Sequence, residues 1–65
     1  MLLDGKKVIE QMEINLFTVA SLHEQKGIAK NAIINARNGR GISVTTARRL
    51  CEAFNCKIDD LMIEA

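Results

Sequence analysis

The chain has no proline, tryptophan or tyrosine, and its only aromatic residues are Phe17 and Phe54. Without proline, no segment is forced out of a helix by a missing N–H. No proline- or serine-rich tract marks a linker or a disordered arm. Long apolar runs are missing too, and nothing approaches the roughly 18 consecutive apolar residues of a membrane span. Met1-Leu2-Leu3 runs straight into Asp4, which does not make a signal peptide. Cysteine occurs only at 51 and 56. Two thiols make neither a disulfide framework nor a four-ligand zinc site, so a reducing cytoplasm is the compartment expected. His23 is the single histidine and has no ligand-spaced Asp, Cys or second His beside it. With no nucleophile–base pair, metal cluster or phosphate loop, the expectation is a non-enzyme without metal, cofactor or small-molecule ligand.

Acid is also scarce where it counts. From Lys26 to Arg49 the chain carries Lys26, Lys30, Arg37, Arg40, Arg48 and Arg49 and no Asp or Glu, while the remainder sets three lysines against eight acids. The net charge of +1 therefore hides a basic stretch on a small body. Such segregation is the electrostatic footprint of a phosphate-binding face. A solvated charge run would look the same in composition, so the count alone does not choose between them.

What is present is aliphatic and recurs at helical spacing, which points to an all-α fold of five short helices. A chain of 65 residues makes a single domain, 1–65, of modest stability. Asp4 is placed to cap a first helix over about 5–13, with Val8, Ile9 and Met12 on its apolar side, and Asn15-Leu16 lead out of it. Thr18 caps a second helix over 19–26, and Gly27 stands where a helix stops in the left-handed conformation. A third helix over about 30–38 follows after only Ile28 and Ala29, turning Ile33 and Ala36 inward, and Asn38-Gly39 stops it. Ser43 caps a fourth over 44–54, whose Val44, Ala47, Leu50, Cys51 and Phe54 form an inward stripe. Asn55 terminates it, and a last short helix over about 58–63 opens on Asp59 and Asp60, acids suited to a helix N-terminus.

The segment from Leu22 to Ile33 reads as a helix, a glycine turn, and a second helix with a polar first turn. Leu22, Ile28 and Ile33 have to meet in one core to fix the angle between these helices. The second can then project its first residues into a groove about 12 Å wide. Geometry alone does not separate this from any other helical hairpin with a glycine turn. The wider pattern does: Phe17-Thr18, Leu22, Gly27-Ile28, Ile33 and Asn38-Gly39 stand at the spacing of the Cro/repressor-type helix-turn-helix family, also called XRE or lambda-repressor-like. Ser43 to Cys56 resembles that family's fourth helix and exit, and Ile58-Asp59-Asp60-Leu61 its closing helix. The resemblance runs from about Val8 to Leu61, with the helix-turn-helix at about 18–38.

The resemblance implies a sequence-specific regulator of transcription, a repressor, bound to double-stranded DNA in the cytoplasm or on the nucleoid. It also implies a homodimer, at least on DNA. Base edges would be met by Lys30, Asn31, Ala32, Ile34 and Asn35. Asn pairs with adenine, Lys donates to guanine, and Ala32 or Ile34 suits a thymine methyl. Phosphate contacts would come from Thr18, Asn38 and Arg40, with Lys26 and Arg48 extending the acid-free face. Leu61, Met62 and Ile63 would form the dimer contact, and Leu61 reads equally as core. Val19 replaces a phosphate-clamping Gln, His23 an Ala packed on the recognition helix, and Ala29 a Ser or Thr cap. The polar positions of the third helix are equally an ordinary solvated face. The competing reading is therefore a helical protein-interaction module, antitoxin-like or anti-repressor-like, without base readout.

Overall fold

Among the described residues, three of the four α-helices start by the same chemistry. In a computed structural model that describes residues 1–63, the Asp4 side chain accepts the Lys6 N–H at 3.0 Å and opens α1, Gly5–Ile14. Thr18 and Ser21 exchange side-chain and backbone hydrogen bonds in a capping box that opens α2, Val19–Lys26. The Ser43 hydroxyl accepts the Thr46 N–H at 3.1 Å and opens α4, Val44–Phe54. The exception is α3, Lys30–Arg37, whose N-cap Ala29 supplies no side-chain hydrogen bond. Its first-turn N–H groups are left to solvent or a ligand.

The helices end on left-handed residues where the sequence supplies them. Gly27 (φ 69°) closes α2 and Asn55 (φ 53°) closes α4. At the second of these ends the Cys56 N–H reaches back to the Cys51 carbonyl at 3.0 Å and the Asn55 N–H to Glu52 at 3.3 Å. That pair of bonds is a Schellman turn. Leu16 also takes a left-handed conformation (φ 59°), on the exposed link from α1 to α2.

The core is built from Leu3, Val8, Met12, Leu22, Ile28, Ile33, Ala36, Ile42, Ala47, Leu50, Phe54 and Leu61, all buried. Phe17 tilts against Phe54 with ring centroids 6.2 Å apart. The chain start straps the two ends of the fold together. Met1 and Ile42 exchange hydrogen bonds at 2.7 and 2.9 Å, the Asp4 N–H donates to Leu61 at 2.8 Å, and Leu3 bridges Met62. Leu3 is thereby carried fully into the core. Just after the strap, α1 presses on the end of α3 so closely that a Cβ on Gly5 would be driven into the Arg37 carbonyl oxygen.

Two expectations need correction. The last helix is only a 3₁₀ turn, Ile58–Asp60, here called η1. The Asp60 carboxylate is taken by the Lys57 N–H, and Leu61 and Met62 are drawn into pairing with the strap, so no further turn forms. Val44, placed on the inward stripe by its spacing, is 62% exposed. It is the first residue of α4 and lies beyond the rim of the core, on the wall of a surface groove. Elsewhere bounds shift by one residue: α1 reaches Ile14, and Asn38 is the cap of α3 and not its last turn.

Candidate nucleic-acid interface

Leu22, Ile28 and Ile33 are all but fully buried and lock α2 against α3 across the Gly27 turn. His23 strengthens the lock. Its Nδ1–H donates to the Ile28 carbonyl at 2.7 Å, so the ring is half-buried and bound to the turn. The bond fixes the proton on Nδ1 and leaves Nε2 as the acceptor of the neutral ring. The ring thus braces the helix pair.

With the inner side of α3 committed to Ile33 and Ala36, its outer side presents Lys30, Asn31, Ile34 and Asn38, all exposed, with Asn35 half-exposed between them. These residues are related by steps of one, three and four and so form one continuous stripe along the helix. Ala32 faces away from the middle of this stripe and packs against the core. Ile34 is 42% exposed and puts an apolar surface among the amides. The Arg40 N–H returns to the Asn35 carbonyl at 2.8 Å, which anchors the exposed Arg40 at the end of the stripe. The stripe offers amide donors and acceptors, two cations and one apolar contact, the set needed for base edges, phosphates and a thymine methyl.

The remaining phosphate candidates are distributed unevenly. Thr18 is exposed; its Oγ1 accepts the Ser21 N–H and its own N–H donates to the Ser21 hydroxyl, so its O–H and the first-turn N–H groups that follow it are left to meet an anion. Lys26 is exposed and shares a cleft of about 230 Å³ with Arg49, Glu52 and Ala53. Arg48 points elsewhere, onto a groove of about 250 Å³ lined with Met1, Val44, Ala47, Cys51 and Ile58. Arg49 and not Arg48 therefore joins Lys26.

In the sequence Arg37 stands out only as one of the six bases of the acid-free stretch. Arg37 reaches inward to a cleft of about 230 Å³ with Ile9, Met12, Glu13, Phe17, Thr18 and Val19, and its Nε is buried without a hydrogen-bond partner. Its spacing from Ile33, four residues back on the buried side of α3, was the available signal.

Of the three residues expected at a dimer contact, Leu61 is wholly buried and is spent on the protomer's own core. Met62 and Ile63 are 41% and 54% exposed, and Met1 and Leu2 join them as exposed apolar side chains. Among the described residues no helix is long and apolar enough to cross a membrane, and no group of three or more His, Cys, Asp or Glu could hold a metal ion.

A family model, the Cro/C1-type helix-turn-helix DNA-binding domain, matches residues 6–63. No curated protein and no solved structure matches the chain.

Proposed function

We propose that this chain, which belongs to the Cro/C1-type helix-turn-helix DNA-binding family, reads a short duplex site with α3 and represses transcription by occupying it. The observation that carries this reading is the stripe of Lys30, Asn31, Ile34, Asn35 and Asn38, mounted on a helix whose opposite side is buried. Asn31 and Asn35 choose bases, Lys30 takes a guanine or a phosphate, and Ile34 meets a thymine methyl, whereas Ala32 is turned to the core and takes no part. Arg40, Asn38, Lys26 and the backbone beside Thr18 position the helix on phosphates without reading sequence. Arg37, with an unpaired Nε in the cleft beside Thr18 and Val19, adds positive charge at the place that Val19 leaves without a polar side chain.

The whole chain, 1–65, acts as one domain that binds and does not catalyse, in the cytoplasm or on the nucleoid. Two copies pair through Met62 and Ile63. Pairing of this kind sets two α3 helices about 34 Å apart, one turn of DNA.

The test is selection from a random duplex library at low and at moderate salt. The expected result is an enriched motif with two half-sites about ten base pairs apart. Salt-sensitive binding with no enriched motif would remove base readout. The exposed apolar groove would then make a protein-interaction module the better account.

A further inference from the structure

Cys51 and Cys56 are brought together by the end of α4. In the Schellman turn the Cys56 N–H bonds the Cys51 carbonyl at 3.0 Å, with Asn55 left-handed between them. This six-to-one closure folds the chain back on itself and sets the side chain after the turn over the side chain three residues before the cap. Such a turn is often sealed there by an apolar pair. Here the pair is two thiols, Cys51 three residues before the end of α4 and Cys56 just after the turn. Both are free and only partly buried against the core. Cys51 also lines the open groove of about 250 Å³ beside Met1, Val44 and Ile58, which gives a reagent access to its sulfur.

We propose that Cys51 and Cys56 form a preset dithiol site that closes to an intramolecular disulfide on meeting a small disulfide oxidant. Cys51 is the attacking group and Cys56 the resolving one. The Cys51 thiolate attacks one sulfur of the oxidant, breaking its S–S bond and releasing the first thiolate. Cys56 then gives its proton to solvent and attacks the Cys51 sulfur, which expels the second thiolate. The protein loses two electrons and the oxidant gains them, becoming two thiols.

The order of attack follows from the environment. Burial raises both thiols above their ordinary range, but the Cys56 S–H, by hydrogen bonding to Cys51, partly offsets this at Cys51. Cys56, facing the Cys51 thiolate, is pushed up to about 11. Cys51 therefore ionises first. The high thiol range makes the first step slow at neutral pH, and proximity makes the second fast.

The experiment exposes the full chain to oxidised glutathione in native buffer and in urea, followed by intact mass and thiol count. The expected product in buffer is a monomer lighter by two hydrogens, without free thiol or adduct. It should form at a glutathione ratio at least about tenfold more reducing than in urea, because the fold holds the pair together. Cys56→Ser should stall as a single glutathione adduct on Cys51, and Cys51→Ser should react about tenfold more slowly. The closed form should melt roughly 5 °C or more above the dithiol. A wild-type chain that stops at one or two adducts, links to a second chain, stays unreacted in buffer, or closes no more readily than in urea would overturn the proposal. A closed form that melts below the dithiol would overturn it too, because the bond would then form only by breaking the turn.

Discussion

A methyl group at Gly5 has nowhere to go, because the Arg37 carbonyl oxygen already occupies its place. The contact joins the first turn of α1 to the last of α3, so relief requires one helix to move. Gly5→Ala should cost roughly 1–3 kcal/mol by overpacking, seen as a lower urea midpoint, although alanine is the better helix former. The DNA face answers to a different test. Asn31 is exposed on the stripe and is assigned to base edges, whereas Arg40, anchored through the Asn35 carbonyl, is assigned to phosphate. Asn31→Ala should change which base is preferred at one position. Arg40→Ala should weaken every sequence about equally and reduce the salt slope by about 1. Titration of matched and single-mismatch duplexes at two salt concentrations separates the two effects, and equal losses from both variants on all duplexes would disprove the assignment.

At the scale of elements, α3 is the least well-started helix, since Ala29 gives it no side-chain cap. Ala29→Ser should stabilise the free domain by about 1 kcal/mol, read as a higher Tm. A change within error would mean that the turn holds Ile28 and Ala29 too rigidly for a hydroxyl to reach the free N–H groups. At the far end of α4 the Schellman turn carries a pH dependence. Cys51 and Cys56 both titrate above the ordinary thiol range in the fold, Cys56 at about 11, mainly through burial, with Asp60 and Glu52 adding negative charge nearby. A folded value raised above the unfolded one stabilises the neutral thiol. Its contribution is complete below about pH 8.5, the unfolded range, and is lost as pH rises toward 11. Tm should therefore fall more steeply between pH 8.5 and 11 in the parent than in Cys56→Ala, and parallel curves would exclude the effect.

For the whole molecule, the arrangement of charge and apolar surface matters more than their totals. The net charge is small, yet the acid-free stretch supplies the cations of α3 and its loop, while the exposed Met1, Leu2, Met62 and Ile63 gather where the chain ends are strapped together. This apolar surface is where a second copy is proposed to sit. Light scattering should show the mass doubling at high concentration or on a duplex with two half-sites. Ile63→Lys should return it to monomer and weaken two-site binding, while binding to a single half-site stays unchanged. A mass that remains monomeric under both conditions would dispose of the dimer.

Most of the helical frame was legible along the chain because its signals are local. Asp4, Thr18 and Ser43 hydrogen-bond N–H groups two or three residues ahead, and Gly27 and Asn55 answer to the bonds of their own turns. The pattern from Leu22 through Ile33 likewise named its own core, since a helix places its residues relative to one another before it meets a partner. What the sequence alone determined was therefore the all-helical class, the helix starts and stops, and the polar stripe on α3. Only the tertiary structure decided that Leu61 is core, that Val44 stands outside it, and that η1 stops where Leu61 and Met62 pair with the strap. It alone gave Gly5, Arg37 and the ring of His23 their surroundings. Burial, close approach and pairing across the fold depend on which surfaces meet, and that is settled only when all the helices pack together.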